Sequence, residues 1–497
     1  MREKRLLWNT ITSILNQIVT VVCAFILPRL ILKAYGSEVN GLIQSIQQFL
    51  AIIAFLDLGV GAVVQSSLYK PLAEGNQDAI SQVMVSANRF FRKLATIIAV
   101  YVLFLSVAYT YICRSPFSVG YNFTLVLALG VSYFTQYFFG LKNQLLLIAD
   151  QKAYVPNLLG IIVTIANNVV GCGLILTGYS IQVVKVSTAV ILLLRPLLME
   201  LYVRRHYRIQ WDISYSGEPI KQKWNGIAQH LASVVLISTD NIVLTLFSTL
   251  ENVSVYSVYH LVLNGMNNLV LSFNQGTAAY FGNLIANQEN DKLHKMFDVY
   301  ECIYHILIVV IYSCVIALIM PFVAVYTKGV VDTNYIVPSF AYLICIANMM
   351  YCIRIPYNSL VLSAGHYKQT QTSAIIEMLI NIVISVLTVI KLGLIGVAVG
   401  TLIAMLYRSL YLAWYSSEHI IGRTSKKWIL HFIIDTICVF GIVKISLFIP
   451  LSDISYLGWL LMALKVGAIS FIITMAMNIS FFRKHLRIKD IKDIIRR

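Results

Sequence analysis

Six ionisable side chains interrupt stretches that are otherwise apolar: Asp57, Arg195, Asp240, Arg354, Glu377 and Arg408. Arg29 and Lys142 lie nearer the ends of such runs. A charged group at the centre of a bilayer costs about 2.5–3.5 kcal/mol on insertion scales, so it normally faces water or an opposite charge. Two kinds of chemistry suit the set. Three acids and three bases can pair simply to assemble a helical bundle. Alternatively, Arg29, Lys142, Arg195, Arg354 and Arg408 can line a wet cavity and hold an anionic head group. A guanidinium suits phosphate because its planar fork bonds two oxygens at once. Asp57, Asp240 and Glu377 would then bind a coupling cation or keep the empty cavity hydrated. Amides cluster with these charges: Asn40, Gln44, Gln47 and Gln48, then Asn264, Asn267, Asn268, Asn274 and Gln275. Gln44, Gln47 and Gln48 recur at helical spacing and share one face. Such a face hydrogen-bonds sugar hydroxyls or glues helices together. Gln44, Gln48 and Asn267 are the amides selected as substrate contacts.

The elements that must position these groups follow from composition. The 497 residues are 58% hydrophobic and only 12% charged. Soluble chains carry about twice that charge, and disorder needs low hydrophobicity, so both classes are excluded. What remains is an all-α polytopic membrane protein. At roughly 20 apolar residues per span, about 14 transmembrane helices fit. The windows fall at 8–33, 42–68, 91–113, 121–149, 154–177, 181–203 and 224–247. In the second half they fall at 254–285, 297–325, 336–362, 370–390, 394–417, 429–449 and 457–482. The 121–149 and 254–285 windows are long enough to be tilted or broken.

Charge gives the orientation. Twenty-six of the 38 Lys and Arg residues lie in alternate connecting segments, whereas the opposite loops hold only Lys33, Arg114, Lys328 and Lys391. The positive-inside rule then places both termini in the cytoplasm, with an even number of spans. Topology and attraction to anionic lipid account for most of the +16 net charge, so a nucleic-acid partner is not needed. Lys185, Lys444 and Lys465 sit near span ends and are expected to snorkel. The eight cysteines form no Cys-x-x-Cys pair and read as buried hydrophobes. Gly36 and Gly41 have Walker-like spacing, but Leu42 and Ile43 stand where a nucleotide loop needs Lys and Ser or Thr. No catalytic or metal motif is found, the scattered histidines included. The chain therefore reads as no enzyme, without a resident cofactor. A coupling proton or sodium ion stays open.

Two weak internal matches suggest a duplication. Tyr35–Leu42 pairs with Ser248–Tyr256 at an offset of 213, and Ile148–Lys152 pairs with Ser363–Lys368 at 216; both tracts of the second pair are followed by an apolar helix bearing an Asn (Asn167, Asn381). The expected plan is two pseudo-symmetric six-helix bundles, 1–203 and 224–417, with a cytoplasmic linker at 204–223. An extra helix pair, helices 13–14, spans 418–482, and 483–497 is a basic amphipathic tail on the inner leaflet.

Several of these tracts resemble a known family. Ile26-Leu-Pro-Arg-Leu-Ile-Leu-Lys-Ala-Tyr-Gly36, Phe55-Leu-Asp-Leu-Gly59, Ser238-Thr-Asp-Asn-Ile-Val-Leu244 and Asn252-Val-Ser-Val-Tyr256 occur in order. The set resembles the Wzx-type polysaccharide-export flippases of the multidrug/oligosaccharidyl-lipid/polysaccharide (MOP) superfamily, over nearly the whole chain. Ser254 departs from the Gly usual in that family. The resemblance implies two bundles forming a V around a cationic cavity and rocking in alternating access. It also implies a bacterial cytoplasmic membrane and an undecaprenyl-diphosphate-linked oligosaccharide repeat unit as substrate. The product would feed capsule, O-antigen or exopolysaccharide synthesis, with the polysaccharide polymerase or chain-length machinery as partners. Arg29, Asp57 and Asp240 occupy motif positions. Arg195, Arg354 and Arg408 rest on the physical argument alone. The competing reading is a cation-coupled multidrug antiporter of the same fold. A glycan polymerase is disfavoured because the longest expected outer loop has about ten residues.

Overall fold

The computed structural model describes residues 2–53, 60–113, 115–213, 238–274, 277–424 and 426–482. Asp57, Gln275, residues 214–223 of the expected linker and the tail 483–497 lie outside the described residues. Among the described residues there is no strand. The first half contains α1 (Arg2–Ile52), α2 (Val60–Glu74), α3 (Gln77–Ile112), α4 (Val119–Thr135), α5 (Leu141–Ala149), α6 (Tyr154–Leu176) and α7 (Ile181–His206). Residues 238–247 form α8. The second half contains α9 (Leu250–Asn274), α10 (Thr277–Ala286), α11 (Asn290–Tyr326), α12 (Pro338–Ile353) and α13 (Ile355–Ser363). It closes with α14 (Tyr367–Leu392), α15 (Leu394–Ser416), α16 (Lys426–Ser446) and α17 (Tyr456–Phe482).

Eleven helical segments among the described residues are long and apolar enough to cross a bilayer. The difference from fourteen has local causes. Residues 54–59 of expected helix 2 lie outside the described residues, and expected helix 7 is described only from Ser238. Within the expected 254–285 span the described residues belong to α9 and α10, and residues 275–276 lie outside them. The other long window, 121–149, is continuous but carries a π-helical turn at Gln136–Gly140.

Helices also extend beyond the hydropathy windows. α3 starts at Gln77 rather than 91, because Asn76 caps it by accepting from the Ala79 amide at 3.0 Å. The added turns bury Ile80, Val83, Met84 and Ala87. A hydropathy window reports bilayer depth, and therefore misses helix that continues into the interface. Farther along α3, Val100, Leu103, Phe104 and Val107 are exposed while Ile98, Val102 and Leu105 are buried. An apolar surface on both faces is what a helix between protein and lipid requires.

The described chain forms two compact units, Met1–Leu246 and Phe247–Arg497. α8 thus groups with the first unit, where Thr245 donates to the Ser45 hydroxyl at 2.9 Å. Residues 204–213 of the expected linker are fastened to the same unit. The Tyr207 hydroxyl donates to Asp150 at 2.5 Å, and the Gln210 amide donates to Ser81 at 3.1 Å. Burial and the Asp150 carboxylate both raise the Tyr207 phenol above its ordinary value, so it stays a neutral donor. In the second unit α11 packs against α12, α16 and α17.

The two paired sequence tracts coincide with matching backbone breaks. Gly36 leaves helical geometry at φ 85°, a conformation that glycine adopts without strain, and α8 and α9 part at 248–249. Gln151 and Gly365, at the other pair of turns, have φ 57° and 72°.

Candidate functional site

In the second unit, the sequence-selected charges Arg354, Glu377 and Arg408 come together. Arg354 occupies the junction between α12 and α13, just ahead of Pro356, where the helix is interrupted. Its guanidinium pairs with Glu377 on α14 and lies 4.5 Å over the Tyr351 ring. From α15, Arg408 Nε lies 3.6 Å from the other oxygen of Glu377. Arg408 also donates to the Thr370 carbonyl at 3.1 Å and to the Ser373 hydroxyl. Two guanidinium groups thus share one carboxylate, which leaves a net positive charge. Arg354 keeps 14% of its side chain exposed against 4% for Arg408, so Arg354 is the one that can still meet a ligand.

Close helix packing sets this geometry. A Cβ on Gly396 would fall 2.5 Å from the Thr388 carbonyl carbon, and one on Gly400 2.7 Å from the Ser385 amide nitrogen. These two glycines, four residues apart, let α15 approach the α14 backbone directly. Asn381 donates to Thr401 at 3.1 Å across the same seam. Asn267 is engaged as well, accepting from Tyr312 and donating to Asn348 at 2.8 Å. Its amide therefore ties α9 to α11 and α12. Asn274 is similarly held, accepting from Tyr300 at 2.6 Å and from Ser359 at 2.9 Å.

In the first unit Lys142 and Arg195 occupy different settings. Lys142, on α5, donates to Asn88 at 2.9 Å, faces Glu200 at 3.2 Å and lies 4.9 Å over the Trp211 ring. Glu200, on α7, also accepts from Asn143 at 2.6 Å and Arg204 at 2.9 Å. Sequence reasoning missed Glu200, although its four-residue spacing to Arg204 was a usable signal. Arg195 lies where α1, α6 and α7 converge, its guanidinium close to Gly160 and Asn16. Its Nε is buried with no hydrogen-bond partner among the described residues. Such a donor is costly to leave unmet and suits an anion. Arg29 is half-buried directly after Pro28 on α1. Gln44 is half-buried on the same helix, and Gln48 accepts from Asn241 at 3.4 Å. Asp240 is buried beside Asn241. Lys444 and Lys465 are exposed. Lys185, expected to snorkel, is instead buried at 7% exposure by the packing of α7.

The arrangement offers basic forks and amides inside an apolar helical bundle, with no group of three metal-binding side chains among the described residues. The fold is a multi-pass membrane fold like that of solved MOP superfamily transporters. The lipid II flippase MurJ, in an inward closed conformation, matches with a TM-score of 0.72 at 16% identity. That match covers 96% of this chain and 99% of MurJ. A MOP superfamily transporter from Pyrococcus furiosus matches with a TM-score of 0.60 at 14% identity, over 85% of this chain and 97% of the other. An inward-facing multidrug resistance MATE transporter matches with a TM-score of 0.55 at 14% identity, over 79% and 93%. No protein-family model matches the chain, and no curated protein matches it at a significant level.

Proposed function

We propose that the protein is a flippase for an undecaprenyl-diphosphate-linked oligosaccharide repeat unit. It would move the unit across the bacterial cytoplasmic membrane by alternating access between two helical bundles. The observation that carries the reading is the excess of basic groups inside the spans. Arg354 and Arg408 share a single Glu377, and Arg195 has an unmet donor. A diphosphate supplies the oxygens such forks bind. The likeness to MurJ over nearly the whole chain supports a lipid-linked substrate. The second reading, a cation-coupled multidrug antiporter, draws on the MATE likeness and on the buried Asp240 and Glu377.

The test is complementation of a bacterium whose own repeat-unit flippase has been removed. The wild-type chain should restore surface polysaccharide, while Arg354→Ala and Arg408→Ala should abolish it with the protein still in the membrane. Normal export by both variants removes the basic-site reading. Drug resistance with unchanged surface glycans selects the antiporter.

A further inference from the structure

A second buried charge network lies in the second unit, separate from the arginines above. His305 of α11 places Nδ1 2.5 Å from Asp435 Oδ2 on α16 and Nε2 3.0 Å from the Tyr357 hydroxyl on α13. That hydroxyl also reaches Glu301 Oε1, at 2.7 Å. Glu301 accepts from Arg423 at 2.5 Å, Arg423 donates to Asp298 at 2.7 Å, and Lys427 lies 2.5 Å from Asp298. Exposure rises along the series: the side chains of His305 and Glu301 are 1% exposed, Asp298 13% and Lys427 45%. On α16 the eight helical steps from Lys427 to Asp435 cover about 12 Å. The network therefore runs from solvent at the start of α16 into the bundle.

We propose that His305, Asp435, Tyr357 and Glu301 form a binding site for a single proton, reached from the Lys427 end. Hydrogen bonding gives the argument. A phenol has one hydrogen and here has two acceptors in reach. With a neutral imidazole carrying its hydrogen on Nδ1, Tyr357 donates to Nε2 and Glu301 keeps only its Arg423 bond. With an imidazolium, Nε2–H donates to the Tyr357 oxygen, and Tyr357 turns its own hydrogen to Glu301. Both arrangements satisfy the ring, and they differ by one proton. The transfer balances: a proton on Glu301 Oε1 passes to the Tyr357 oxygen as the Tyr357 hydrogen passes to Nε2.

Charge favours uptake. Asp298, Glu301 and Asp435 oppose two fixed cations, Arg423 and Lys427, so one proton neutralises the group. Burial opposes the charge on Arg423, but Glu301 and Asp298 outweigh it and hold that guanidinium above its ordinary value. Asp435 Oδ1 and Glu301 Oε2 are both buried without hydrogen-bond partners among the described residues, and an unmet buried carboxylate oxygen favours protonation nearby. The other titratable neighbours are His431, stacked 4.7 Å from His305, and the thiols of Cys302 and Cys438 near Asp435. A narrow cavity lined by His305, Tyr357, Ser409 and Trp428 borders the ring. As the point where a transporter takes up its coupling proton, the site rests on the transport reading above; proton binding itself does not.

The decisive measurement is deuterium exchange at the C2 position of His305 in the purified full-length protein, followed by mass spectrometry across pH. The expected result is a single titration between about pH 5 and 8. Asp435→Asn should weaken proton binding by about tenfold or more. A flat wild-type profile overturns the site, and so does an unshifted Asp435→Asn. The wild-type profile decides on its own if that variant does not fold. For the coupling role, His305→Gln should lose polysaccharide export in the complemented bacterium. Full export by His305→Gln beside a titrating wild type overturns coupling while leaving the proton site and the flippase reading in place.

Discussion

Lys142 and Glu200 meet with almost no water on either side chain, 3% and 10% exposed. Removing one partner from such a pair leaves a buried charge unmet and costs about 3–5 kcal/mol. Glu200→Leu is accordingly expected to lower the thermal unfolding temperature sharply, whereas the double change Lys142→Met/Glu200→Leu should recover most of the loss. If the double variant is no more stable than the single one, Lys142 is not held mainly by Glu200. The same logic separates Arg354 from Arg408. Arg408 is buried and bonded to Thr370 and Ser373 as well as to Glu377, so Arg408→Lys should cost stability as well as export. Arg354 is partly open, so Arg354→Lys should leave the unfolding temperature close to wild type while export falls.

At the level of helices, the seam between α14 and α15 decides where Glu377 sits. Gly400→Val adds a branched Cβ against the Ser385 backbone and must push the helices apart. Its cost should therefore exceed the helix-propensity gain of replacing glycine. Gly173, on α6, has nothing near its Cβ position, so Gly173→Ala should instead stabilise by about 0.5–1 kcal/mol. Thermal unfolding of both variants checks the contrast, and equal effects would mean that the seam tolerates separation. Much of this architecture was legible in the sequence. Arg354, Glu377 and Arg408 stood out because each interrupts a long apolar run. Glu200, Glu301 and Asp435 did not, because each falls within two turns of an expected span end, where a charge reads as interfacial. Their burial comes from α3, α11 and other helices extending past the bilayer windows, and from loop residues such as Arg423 folding back. No single-helix pattern carries that information. His305 gave no signal of its own, since its partners lie on α13 and α16, distant in sequence.

For the whole molecule, orientation in the membrane follows from where the charges lie and can be tested without knowing the substrate. Twenty-six Lys and Arg residues on one set of connections, against four on the other, predict that the turn at Gly75 faces the cytoplasm. The connection between α11 and α12 would face outward. None of the eight native cysteines is exposed, so the wild-type chain provides a quiet background for thiol labelling. Glu74 is exposed at the first turn, and Val331, at 96% exposure, stands out from the second connection. With a membrane-impermeant maleimide on intact cells, Val331→Cys should label at once, and Glu74→Cys only after the membrane is opened. The reverse pattern would invert the topology and place Lys427 and Asp298, the mouth of the His305 network, on the outer face. A proton would then enter from outside rather than from the cytoplasm, so the labelling pattern also fixes the direction in which a coupling proton could do work.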